Sequence, residues 1–272
     1  MNLNKKQESP TAEIMLEEDK QYSLSKIVVI WALATAPMTA LAYFGTPAII
    51  NIFNIPANVP LFLVFWPLMI IGMAWQFVLS LIIVYRENGN LKWQTIRKRM
   101  WYNRPRNPKT GECNNWLFLW VIPFMALSYA LMFIIPLPDV LGSIFPFLKS
   151  LPQFSLQQLM TPEYKGVWWL LGLTLITIPF NYFLGEEFLF RGILLPKMKG
   201  VFGKWDWFFN GVFFALYHLH KPLGILHQAV FSGFILSYPS RRFRSNWMAV
   251  IIHGMEAVIA LVIVLGIILG YA

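Results

Sequence analysis

A chain of 272 residues that is 57% hydrophobic and only 13% charged has too few charges to cover a soluble core of that size, since soluble domains carry about 25%. Its formal net charge of +9 would point to nucleic acid in a soluble protein, but the placement of the charges between apolar runs excludes that reading. The single cysteine, Cys113, excludes an intramolecular disulfide and by itself makes no structural zinc site.

Residues 1–26 are polar and mixed in charge, with Lys5, Lys6, Glu17, Glu18 and Asp19 among them. No cleavage-like small-residue site precedes the first apolar run, so they read as a tail and not as a removable signal. Residues 27–272 read as one transmembrane domain. Its first two apolar runs, 27–50 and 60–85, are long enough to cross the bilayer, because about 20 helical residues span a hydrocarbon layer of roughly 30 Å. A strongly basic loop, 86–115, follows. Its first half predicts a short interfacial helix anchored by Trp93 and Trp101, which Pro105 and Pro108 then break. The third span is 116–135. Residues 136–165, rich in Pro and Phe and poor in charge, predict a loop with a short interfacial helix. The run 167–195 contains Pro179 and makes one kinked span, or a span plus a shallow helix. Two short runs, 205–218 and 223–238, and a last run, 246–269, complete an all-α, polytopic transmembrane helical bundle of about seven or eight membrane helices.

Lys and Arg placement sets the orientation. If every run crosses, the tail, the 86–115 loop, the stretch around Lys197, Lys199 and Lys204, and the cluster Arg241, Arg242, Arg244 share one side. Only Lys149, Lys165 and Lys221 fall on the other. The basic side is therefore expected to be cytoplasmic in a multi-pass cell-membrane protein. The +9 then reflects topology and attraction to anionic lipid, with no nucleic acid as partner.

A few ionisable groups lie inside the apolar runs: Glu186, Glu187, Arg191, His218, His253 and Glu256. A charge at bilayer depth costs at least about 2.5–3.5 kcal/mol, so such residues usually face a bundle interior and carry function. On a helix, Glu187 and Arg191 sit at i,i+4 with the acid first, the favourable order for pairing, while Glu186 projects about 100° away toward a different surface. The plainer readings are a charge cluster at a helix end and, for His218, a terminal histidine capping carbonyls. His220, beside Lys221-Pro222, reads as a turn residue, and His227 as a headgroup or cavity contact. Counted at 1.5 Å per residue from the basic side, His253 lies about 10 Å deep, Glu186 about 16 Å and His218 about 21 Å. Tilted helices would let the three share one polar cavity in the cytoplasmic half.

A carboxylate and two imidazoles in a dry cavity suit water activation: the carboxylate takes the proton, one histidine orients the water, and a second donates to the developing oxyanion. The same groups are ordinary ligands for a divalent metal such as zinc, although no HExxH arrangement is present. Buried carboxylates would also serve a transporter, but no clear inverted repeat is visible.

These residues carry a pattern. Glu186-Glu187-x-x-x-Arg191, then Phe214-Ala215-Leu216-Tyr217-His218, then His253-Gly254-Met255-Glu256-Ala257 resembles the EExxxR, FxxxH and HxxxN motifs of the CPBP (CAAX protease and bacteriocin-processing, Abi-type) family of intramembrane endopeptidases, typified by type II CAAX prenyl endopeptidase. The resemblance covers about residues 165–260, which it marks as the catalytic core. It implies Glu186 as general base, His218 as its partner, His253 as an oxyanion donor, and Glu187 with Arg191 as a supporting pair. It further implies a membrane-anchored or prenylated peptide substrate cut near the cytoplasmic face, with no cofactor; older descriptions of the family as metalloproteases keep zinc as the alternative. The last motif departs from the pattern, because Ala257 stands where the family has asparagine. Either His253 suffices with another donor, or proteolysis is lost and the fold serves as a membrane scaffold or bacteriocin-immunity partner.

Overall fold

A computed structural model describes residues 20–133, 140–223 and 231–271, and those residues are all-helical apart from one isolated bridge between Arg106 and Cys113. His227 lies outside the described residues, as do most of the tail and the 134–139 part of the central loop.

Helix α1 (Leu24–Ile52) starts at Ser23, whose hydroxyl accepts from the Lys26 N–H. It is interrupted by a π turn at Leu41–Gly45, four residues past Pro37. Helix α2 (Leu61–Asn88) starts after Pro60 and ends at Gly89, which adopts φ +72°. That left-handed cap favours a residue without a side chain. A short helix α3 (Trp93–Arg99) lies in the basic loop. Helix α4 (Val121–Phe133) follows a 3-10 turn, and helix α5 (Trp169–Pro179) runs into two π segments, Phe180–Leu184 and Phe188–Leu194. Helix α6 (Asp206–Tyr217) ends at His218, a π segment Phe231–Ser237 leads into α7 (Tyr238–Phe243), and α8 (Trp247–Leu269) closes the bundle.

By length and composition α1, α2 and α8 are each able to cross a membrane. Their outer faces carry bare apolar side chains such as Phe44, Ile71 and Val262. A helix that is apolar on every side has no polar face to turn to water, and lipid is the solvent that suits it. This is a membrane protein. Inside, indoles fasten helix to helix: Trp31 Nε1 donates to Phe213 O at 2.8 Å, Trp75 Nε1 to Leu33 O at 2.9 Å, and Trp66 Nε1 to Thr177 Oγ1 at 2.7 Å.

The basic segments meet at one end of the bundle. Tyr22 N donates to Lys197 O (2.9 Å), Arg106 N to Phe243 O (2.8 Å) and Asn246 N to Trp101 O (2.8 Å). The opposite end is joined by Gly166 N to Ile268 O (2.8 Å) and by Gln158 Oε1 accepting from Phe62 N at 3.0 Å. One expectation is corrected here. Trp93 is open, as an interfacial anchor should be, but Trp101 is only 7% exposed. It sits at φ +57° just past α3, where its carbonyl holds the start of α8, so it is a packing residue and not an anchor.

Candidate active site

The segment that carries the acidic pair is not a regular helix. Pro179 has no N–H to continue the ladder, and the chain widens into π turns on either side of Gly185. A Cβ on Gly185 would lie 2.5 Å from Phe180 O and 3.1 Å from Met73 O, so only glycine permits this approach to α2. Wide turns leave carbonyls without their usual partners, which costs several kcal/mol each in lipid. Side chains from elsewhere supply the donors: Asn246 Nδ2 to Glu187 O (3.0 Å), Asn210 Nδ2 to Phe190 O (2.8 Å), and Arg99 to Gly192 O (3.1 Å) and Ile193 O (3.2 Å). Arg99 is itself held by Glu87 Oε2 at 2.8 Å and donates to the Tyr22 hydroxyl at 2.7 Å, while Tyr22 donates to Glu87 Oε1. Burial raises the Tyr22 hydroxyl well above the ordinary tyrosine range, so it remains a donor.

Within this segment the two carboxylates face different ways. Glu187 is wholly buried, as is Arg191, and Arg191 Nη1 donates to Glu187 Oε1 at 3.1 Å. The same oxygen accepts from His253 Nδ1 on α8 at 2.9 Å. The guanidinium also lies over the Phe214 ring, 4.1 Å from its centroid. Glu187 is therefore the hub between the guanidinium and the histidine, and a charge cluster at an exposed helix end is ruled out. With Nδ1–H engaged, His253 Nε2 points to Glu186 Oε2 (4.0 Å) and Glu256 Oε2 (3.8 Å). Tyr182 packs edge-on against the His253 ring at 4.9 Å and fixes its plane.

Glu186, His218 and His253 line one cavity of about 420 Å³, together with Glu256. His218 donates Nδ1–H to Phe214 O at 2.9 Å, which leaves the Nε2 lone pair available to accept from a water. The Tyr217 hydroxyl accepts from Gln76 Nε2 at 2.8 Å. His220, expected as a turn residue, is in a 3-10 turn but is buried and also lines the cavity. Ala257 is buried in the α8 packing, and its neighbour Glu256 reaches the cavity. The wall facing the ionisable groups is apolar, from Phe65, Trp66, Met69 and Met73 of α2. From His253, six residues into α8, the lining extends past Val264 to Phe62 and 154–156, at the end away from the basic segments.

Among the described residues no group of three or more His, Cys, Asp or Glu side chains is placed to hold a metal ion. One carboxylate, Glu186, and two imidazoles, His218 and His253, share the lining of the cavity.

Charge within an apolar run singles out Glu, Arg and His, but not the neutral side chains of Gln76, Asn210, Asn246 and Tyr217. The amides were the signal available: Gln76 and Asn210 sit in apolar runs, and an amide buried in lipid needs partners as a charge does.

Residues 165–259, about a third of the chain, match the family model described as Type II CAAX prenyl endopeptidase Rce1-like. No curated protein and no solved structure matches.

Proposed function

We propose that this chain, a member of the CAAX-protease (CPBP) family through residues 165–259, is an intramembrane endopeptidase that cuts a peptide bond of a membrane-associated substrate, prenylated or not. The observation that carries the reading is the convergence of Glu186, His218 and His253 on one cavity. Glu186 accepts a proton from a water whose second hydrogen is held by His218 Nε2. The hydroxide so formed adds to the substrate carbonyl, and His253 Nε2, in the charged ring, donates to the oxyanion. Collapse of the tetrahedral intermediate expels the amine, which takes the proton back from Glu186. Glu187 and Arg191 do not touch substrate; they hold His253 in position. The basic end faces the cytoplasm, a reading that the charge bias supports. Membrane-anchored peptide is the substrate partner and anionic lipid the surrounding one.

The test is cleavage of prenylated and unprenylated peptides by the purified protein, with and without a chelator. Glu186→Gln keeps size and hydrogen-bonding shape but cannot take a proton, so turnover is expected to vanish while the fold persists. His218→Ala is expected to be nearly as damaging. His253→Ala should retain a residue of activity, because loss of one oxyanion donor costs roughly 10²–10³ in rate. Full activity in Glu186→Gln would end the glutamate-base mechanism. Loss on chelation with recovery on zinc would replace it with a metal-activated water.

Ala257 favours a second reading, a membrane scaffold or immunity partner without turnover. That reading expects the Glu186→Gln variant to keep whatever activity the cell requires of the parent.

A further inference from the structure

The basic end of the bundle holds a second hollow, of about 460 Å³, within the roughly 300–1,000 Å³ range of ligand pockets. Its lining comes from stretches far apart in sequence: the 106–111 turn, residues 204–207 leading into α6, and α7 with the residue after it. Five of the lining side chains are basic, Arg106, Lys204, Arg241, Arg242 and Arg244, against one acidic, Asp206. Asp206 is already engaged. Its Oδ2 accepts from Arg241 Nε at 2.5 Å and its Oδ1 from Trp207 N at 2.8 Å.

The segments that carry these cations are tied together through their backbones. Besides the bonds from Arg106 N and Asn246 N, Ser245 Oγ donates to Asn103 O at 2.7 Å, and Arg244 takes φ +47° to end α7. A charge bias that sets topology needs basic residues on one side of the membrane, but it does not need them to converge from separate segments on one concave site. Like charges pinned together repel, and an anion between them removes the repulsion. The hollow also has an aromatic edge. Trp207 and Tyr238 line it with ring centroids 5.3 Å apart, and Phe234, half exposed, packs 5.1 Å from Trp207. Amphipathic rings of this kind sit at headgroup level, with apolar surface beside them for an acyl chain.

We infer that this hollow binds a phosphoryl group, presented as the phosphodiester headgroup of an anionic phospholipid. Guanidinium groups match phosphate oxygens in pairs, and the indole and phenol set the depth at which the headgroup rests.

The full chain, purified in detergent, is titrated calorimetrically with short-chain phosphatidylglycerol, phosphatidylcholine of the same chain length, and inorganic phosphate. Phosphatidylglycerol is expected to saturate a single site and to bind more tightly than phosphatidylcholine, whose choline cancels the charge. The double variant Arg106→Gln/Arg242→Gln should weaken it about 30-fold, the factor that two basic residues contribute at an anionic surface. Arg106 pins its loop through its backbone and Arg242 is exposed, so neither side chain holds the fold. Lys204→Gln, also exposed, provides a second measure, with a loss of about fivefold. Saturable inorganic phosphate binding with the same losses would keep the site and make free phosphate its source. Phosphatidylglycerol affinity unchanged in these variants, or no saturable binding of any phosphate-bearing probe, would overturn the inference.

Discussion

Arg191→Ala tests the buried hub directly. In the parent, Arg191 and Glu187 are both fully buried and paired at 3.1 Å, with no solvent to take over if one is removed. Loss of one partner from such a pair leaves an uncompensated charge and costs about 3–5 kcal/mol. The lost contact with the Phe214 ring adds to that. At roughly 2–4 °C per kcal/mol for a chain of this order, the melting temperature should fall by about 6–20 °C. The assay is thermal unfolding of purified protein in detergent, followed by loss of the monodisperse species. The control is a double-mutant cycle with Glu187→Gln. Once the carboxylate is neutral there is no stranded charge, so Glu187→Gln/Arg191→Ala should be more stable than the two single losses added together. A variant that melts like the parent, or a cycle that is strictly additive, would refute the buried-pair argument and with it the placement of the 188–194 segment.

Other outcomes follow from particular contacts. Gly185→Ala would bring a Cβ to 2.5 Å from a backbone oxygen that has no freedom to withdraw, so activity should fall by more than stability does, because Glu186 is the next residue; equal turnover and melting temperature would contradict the close approach. Gln76→Ala strips the Tyr217 hydroxyl of a donor in a fully buried place, an expected loss of about 1–3 kcal/mol measured by the same melt. Cys113, the natural cysteine and an exposed one, lies in the basic loop. A membrane-impermeant maleimide should leave it unlabelled in intact cells and label it once the membrane is opened, and labelling of intact cells would invert the topology.

The three longest spans, α1, α2 and α8, were legible because their signal is local: runs of apolar side chains near bilayer length, closed by residues such as Gly89. The ionisable motif residues were also legible, since a glutamate or histidine in an apolar run has few reasons to be there. Their partnership was only partly so. An i,i+4 spacing pointed to Glu187 with Arg191, and the pair forms although the local turn is π and not α. That His253 docks on the same carboxylate oxygen depends on how α8 crosses the 188–194 segment, and no spacing encodes a crossing. The misread Trp101 has the same origin. Its composition fits a headgroup anchor, and only the turn after α3, which delivers its carbonyl to Asn246, shows it to be internal. The π segments were invisible for a further reason: they are stabilised by amides and by Arg99 from distant stretches, so the residues that permit them are not the residues that adopt them.

The direction of the cavity has a consequence for what reaches it. Glu186 and His253 sit nearer the basic end of their helices, yet the lined space runs the other way, to Phe62 and the 154–156 stretch. The polar groups thus stand at one end of an otherwise largely apolar space, with Phe65, Trp66, Met69 and Met73 along it. Any occupant long enough to fill that space would place apolar surface along α2 while a polar group met Glu186 and His253, so the cavity's own lining grades occupants by where along their length they are polar.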